Sequence, residues 1–167
     1  ANGGAGMAML VTQIATATAG LSWMFAEWGF AKKPSLLGIL SGAIAGLVAI
    51  TPAAGFVGPV GAFFIGLIAG IVCYWASTKL KNKFGYDDSL DVFGIHGVGG
   101  TVGALLTGIF AKEAIGGAAG LLEGNTGQLW TQFVGVGFTI IYTGVLTYII
   151  LKIVGLITPL RATLEVE

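Results

Sequence analysis

His96 is the only histidine in the 167 residues, and it sits inside the apolar run Val92-Phe93-Gly94-Ile95-His96-Gly97-Val98-Gly99-Gly100. An uncharged imidazole carries one donor and one acceptor, so it can pass a proton or hold a small polar molecule. On an α-helix, Val92 lies one turn before His96, and Gly99, Gly100 and Gly103 lie three, four and seven residues after it. That face is slim and apolar around one imidazole, which suits either a narrow pore or a tight helix contact. Three aspartates precede it: Asp87, Asp88 and Asp91. Asp88 is placed to cap a helix, with Asp91 three residues later in the position of a capping-box acid. Both favour the positive end of the helix dipole. Asp91 is five residues from His96, a spacing that disfavours a direct pair.

Other polar candidates are sparse. Ser41 and Thr51 lie in or at the end of an apolar stretch, where each can bond back to its own helix. The single cysteine, Cys73, offers neither a disulfide framework nor a metal cluster and reads as a small buried hydrophobe. A nucleophile has no histidine partner, there is no Gly-Lys-Ser/Thr phosphate loop, and no paired carboxylates stand in an apolar segment. The pattern is not that of an enzyme, and nothing in it calls for a cofactor.

The elements that must position these residues are hydrophobic. Apolar residues make up 55% of the chain and charged ones 10%, against about 25% charged in soluble domains. The 29 glycines lie within apolar runs, as in closely packed transmembrane helices. Eight scattered basic residues, Arg161 among them, balance eight acidic ones and leave no nucleic-acid footprint. Five stretches approach the roughly 20 residues that cross a bilayer: about 7–30, 35–50, 59–78, 88–110 and 129–153. The fold class is therefore an all-α, polytopic transmembrane helix bundle with the whole chain, 1–167, in one domain. Gly38, Gly42 and Gly46 share one face of the second stretch. Ala62, Gly66 and Gly70 do so in the third, as do Gly99 and Gly103 in the fourth, so small residues bring helices together. Thr12, Gln13, Thr16 and Thr18 place the first helix inside the bundle.

Basic residues concentrate in alternate loops: Lys32 and Lys33, then Lys79, Lys81 and Lys83, then Lys152 and Arg161. This bias puts the N-terminus outside and the C-terminus in the cytoplasm. An odd number of crossings starting outside, without a signal sequence, reads as a segment of a longer protein.

The run from Asp87 to Gly100 closely resembles the hallmark segment of the ammonium transporter family (Amt/Mep, related to the Rh proteins). Ser41-Gly42-Ala43-Ile44-Ala45-Gly46-Leu47-Val48-Ala49-Ile50-Thr51-Pro52-Ala53 matches a second family stretch, and Ala1-Asn2-Gly3-Gly4 is similar to the loop before the family's seventh helix. The resemblance implies helices seven to eleven of an eleven-helix subunit, built from two inverted halves and assembled as a homotrimer in the inner or plasma membrane. It implies a narrow apolar pore in which His96 matches the second of two hydrogen-bonded histidines. Val92 and Ile44 match apolar pore residues, Ser41 and Thr51 match polar positions near it, and Asp88 matches an acid at the helix start. The partners implied are ammonium or ammonia, the lipid bilayer, the N-terminal half of the same transporter, and a PII-type regulator through a cytoplasmic tail mostly absent here. The first histidine, the outer gate and the external ammonium site fall in segments outside this sequence. The alternative reading is an ammonium sensor built on the same fold.

Overall fold

A computed structural model describes residues 3–160, and every regular element in them is helical. Helix α1 runs over Gly3–Ala31, α2 over Leu36–Ile50 and α3 over Pro59–Trp75. A π-helical turn, Ala76–Leu80, carries α3 into the short α4, Lys81–Phe84. A second π-helical turn, Phe93–Gly97, opens α5, Val98–Phe110. The short α6, Glu113–Gly116, and a 3-10 turn, Leu121–Glu123, precede α7, Thr126–Gly155. Among the described residues, four helical stretches are long and apolar enough to cross a membrane, Gly3–Ala31, Pro59–Phe84, Phe93–Phe110 and Thr126–Gly155, with α2 apolar but shorter.

Helix α1 is the centre of the packing among the first three helices, as its threonines led one to expect. The hydroxyls of Thr12, Thr16 and Thr18 bond to carbonyls four residues back, at 2.7–2.8 Å, which hides their polarity within the helix. Val11, Ala15, Ala19 and Trp23 are buried. Glycines allow backbone to approach backbone here. A Cβ on Gly42 would stand 2.8 Å from the Ala19 carbonyl oxygen, and one on Gly46 would stand 2.5 Å from that of Ala15. From the other side, a Cβ on Gly66 would stand 2.8 Å from Ala15 Cα, and one on Gly70 3.0 Å from Trp23 N.

These pairings also fix direction. Along α2 the partners in α1 run backwards, Ala19 then Ala15, so the two helices are antiparallel. Along α3 they run forwards, Ala15 then Ala19, so α1 and α3 are parallel. Gly99 of α5 meets Cys73 and Val48, and Gly103 meets Ala49, which makes α5 parallel to α2. The first four spans, α1, α2, α3 and α5, thus alternate in direction, as consecutive membrane crossings must.

Local caps sharpen the turns. Ser35 Oγ accepts the Gly38 amide at 2.9 Å and donates to Glu27 Oε1 at 2.8 Å, tying the start of α2 to α1. The six residues after α2, from Thr51-Pro52 on, form a run of turns. The lysines expected to end the third span do not do so. The helix continues through the π-turn to Phe84 and stops at Gly85, whose φ of 61° is left-handed. The fourth span begins at Val92 rather than at Asp88, because Asp91 takes a left-handed φ of 53° and breaks the helical path before it.

The described residues fall into two compact units, 3–133 and 134–160. In the second unit, Phe138, Ile141, Val145, Tyr148 and Ile149 of α7 are exposed; an apolar helix without a polar face needs lipid or further protein around it. Arg161 and the tail from Thr163 on lie outside the described residues.

Candidate functional site: the His96 turn and its supports

The helix that carries His96 starts with its amides satisfied from upstream. Asp88 Oδ1 accepts the Val92 amide at 2.8 Å, and Asp88 Oδ2 accepts the Phe93 amide at 2.9 Å. A carboxylate at this end also meets the helix dipole favourably. Asp91 does not reach back as a capping-box acid would. Its carbonyl accepts the Ile95 amide at 2.8 Å, while its carboxylate pairs with Lys81 Nζ at 2.8 Å. Lys81 also donates to the Asp88 carbonyl. One lysine therefore holds both ends of the Asp88–Asp91 loop.

The π-turn then sets the rotation of His96. The Val98 amide reaches back to the Phe93 carbonyl, five residues away, so the turn holds about one residue more than an α-helical turn. In an unbroken α-helix Val92 would sit two turns before Gly99 on the same buried face. Instead Gly99 and Gly103 are buried against α2 and α3, while Val92 is 52% exposed and His96 is exposed. The expected single face of Val92, His96, Gly99 and Gly103 is thus divided by the π-turn into an open side and a packing side. No hydrogen bond to the His96 imidazole is found among the described residues.

Helix α2 runs alongside in a parallel register. A Cβ on Gly99 would stand 3.6 Å from Val48 Cγ1 and 3.9 Å from the Ala45 carbonyl oxygen, and Gly103 lies against Ala49. Ser41, Ile44, Val48 and Thr51 follow a helical row, with Ser41 half-buried, Ile44 43% exposed and Thr51 exposed. Ser41 and Thr51 are about 15 Å apart along the axis at 1.5 Å per residue. The Thr51 hydroxyl donates to the Leu47 carbonyl at 2.7 Å, within its own helix. The six site residues other than Asp91 thus divide into a cap, Asp88, and two open rows, Val92 with His96 and Ser41 with Ile44 and Thr51.

Sequence reasoning missed the supports behind this turn. Ser77, in the first π-turn, packs on Gly94 of the second, and Cys73 Sγ lies 3.9 Å from the Ile95 carbonyl. Tyr86 meets Phe93 edge-on at 5.6 Å. Small residues at 77 and 94 are the only hint in the sequence, and they resemble every other small pair in the chain. An apolar groove of about 600 Å³, lined by Phe30, Ile71, Val72, Tyr74, Trp75 and Lys79, contains none of the site residues.

A parallel–antiparallel bundle of apolar helices, one of them interrupted at its only imidazole, defines a multi-pass membrane protein. The family model described as Ammonium Transporter Family matches residues 1–167, so this chain belongs to the ammonium transporter family. The chain is 53% identical over its full length to an ammonium transporter of Aquifex aeolicus, covering 40% of that protein. The crystal structure of Saccharomyces cerevisiae Mep2 superposes with a TM-score of 0.91 at 35% identity, over 99% of this chain and 39% of that one. A structure titled Sensor Amt Protein superposes at 0.89 with 30% identity, over 99% of this chain and 40% of that one. The chain thus spans about two-fifths of the length of the relatives it matches.

Proposed function

We propose that this chain supplies one side of a transmembrane pathway for ammonium and ammonia, with His96 as a proton-handling group on that path. The observation that carries the reading is the divided helix: the only imidazole and Val92 face outward while Gly99 and Gly103 do the packing. An ionisable side chain in an apolar segment belongs to a polar path or to a partner group, because lipid does not solvate it. Ile44 and Val92 are then the apolar walls beside the imidazole. Ser41 and Thr51 are the polar positions along the same path, and Asp88 holds the start of the helix. A second histidine, from the N-terminal half of the transporter, accepts or donates the hydrogen bond that His96 does not make among the described residues.

The chemistry follows from the cost of burying charge. Ammonium entering a narrow apolar pore loses its water shell, and an unpaired ion in such surroundings is heavily penalised. Release of the proton to the histidine pair lets neutral ammonia cross, and the relayed proton follows. Potassium has no proton to release and is refused. No step makes or breaks a covalent bond other than to hydrogen, and the protein is read as a transporter rather than an enzyme. The curated relative's name favours transport over the sensor reading. On this reading the protein works in the inner or plasma membrane as a homotrimer, with this segment's N-terminus outside and its C-terminus in the cytoplasm, where a PII-type regulator has access.

The test is transport by the complete gene product reconstituted in liposomes. Ammonium pulses should evoke uptake or current, and equal potassium pulses should evoke neither. Equal responses to both ions would overturn the reading.

A further inference from the structure

The packing that faces away from the path points to what aims the imidazole. Three side chains at four-residue spacing, Cys73, Ser77 and Lys81, meet the His96 segment in order. Cys73 Sγ lies 3.9 Å from the Ile95 carbonyl, Ser77 lies against Gly94, and Lys81 binds the Asp91 carboxylate and the Asp88 carbonyl. The contact at Ser77 leaves no room for a side chain on Gly94. A Cβ on Gly94 would stand 3.0 Å from Ser77 N and 3.1 Å from Ser77 Cα, and would collide with Ser77 Oγ. Ser77 is 7% exposed, and its hydroxyl is buried without a hydrogen-bond partner. A buried polar group left unpaired is a standing penalty on stability. Packing alone would be better served by alanine.

Both residues lie in π-helical turns, Ser77 in Ala76–Leu80 and Gly94 in Phe93–Gly97. Such turns are rare, are found often at functional sites, and shift every side chain beyond them around the axis. Here two of them touch, and one holds the imidazole two residues after the contact point. We propose that Ser77 is a positioning residue for His96: seated against Gly94, it holds the second π-turn in register and so fixes the direction of the imidazole. This inference rests on the transport reading of His96 but names a residue on another helix that never touches the path. Its physical content is a spacing. Adding a methyl at Gly94 pushes the two turns apart or drives the second toward α-helix, and either outcome rotates His96 away from its aim. Removing the Ser77 side chain makes room for that methyl, although the remaining backbone contacts stay close.

The experiment uses the complete gene product with Gly94→Ala, Ser77→Gly and the double variant, each checked for unchanged elution as the assembled protein. Ammonium-evoked current in liposomes should fall on the order of tenfold or more in Gly94→Ala, as expected for a misplaced reacting group, and its dependence on pH should shift. The double variant should regain part of both, since the methyl would still stand 3.0 Å from the residue 77 amide nitrogen. In parallel, His96→Cys is placed in each background and labelled with a small methanethiosulfonate, read at that peptide by mass spectrometry. Its labelling rate should change with Gly94→Ala and return toward the parent value in the double variant. The labelling readout stands even if the parent carries no ammonium current, which would defeat the transport reading alone. Unchanged labelling and current in Gly94→Ala, or a double variant no better than the single, would overturn the role of Ser77.

Discussion

Replacing Gly103 by alanine is the smallest change that should disturb the His96 helix from a distance. The new Cβ would stand 2.7 Å from both Cα and the carbonyl carbon of Ala49, and it would collide with the Ala49 carbonyl oxygen. These are backbone atoms, so no side chain can swing aside. Ordinary contact begins near 3.4 Å, so the two carbon contacts alone require α2 and α5 to open by about 0.7 Å, and the carbonyl oxygen requires more. Overpacking of this kind costs roughly 1–3 kcal/mol. Against it stands a gain of roughly 0.4–1 kcal/mol from replacing glycine within a helix. The net effect is a loss, and α5 should carry His96 with it as it moves. Gly29→Ala in α1 is the control: a Cβ there meets nothing within 4 Å, so only the helix gain remains. The assay is thermal unfolding of the detergent-purified complete gene product together with ammonium uptake. Gly103→Ala should melt below the parent and transport more slowly, while Gly29→Ala should do neither. A Gly103→Ala protein with the parent's melting temperature and uptake would refute the close α2–α5 contact.

Two further outcomes follow from the same geometry. Asp88→Ala frees the amides of Val92 and Phe93, which should cost about 0.5–2 kcal/mol; thermal unfolding should show that loss, and Asp88→Asn should recover only part of it, since asparagine keeps one acceptor oxygen and turns a donor toward the other amide. The 167 residues expressed alone in cells lacking ammonium transporters should not restore growth on limiting ammonium, because exposed His96 and the open row of α2 have no opposing wall; growth rescue would mean that copies of this chain build a path among themselves.

Much of the fold was legible because hydropathy and small-residue spacing act over whole helices. The spans near 7–30, 35–50, 59–78 and 129–153 correspond to α1, α2, α3 and α7, and the glycine faces at 42, 46, 66 and 70 are the ones that seat on Ala15 and Ala19. The errors fall where one residue decides the path. Lys79, Lys81 and Lys83 look like a stop signal, yet a lysine near a helix end can serve a partner, and Lys81 serves Asp91. Asp88 and Asp91 match a capping box in spacing, yet Asp91 is left-handed and ends outside the helix. The division of the His96 face was invisible because a π-turn has no sequence code: a rule of 3.6 residues per turn puts Val92 beside Gly99, and one extra residue in the turn undoes it. Ser77 and Gly94 were missed for the same reason, since their importance lies in where two irregular turns touch.

The central claim is that His96 handles the proton of transported ammonium, and it is tested most directly by recording ammonium-evoked currents from liposomes holding the complete gene product or its His96→Ala variant. The proposed path predicts that the proton-coupled current disappears in the variant and that discrimination against potassium weakens. Currents of unchanged size and selectivity in His96→Ala would contradict it.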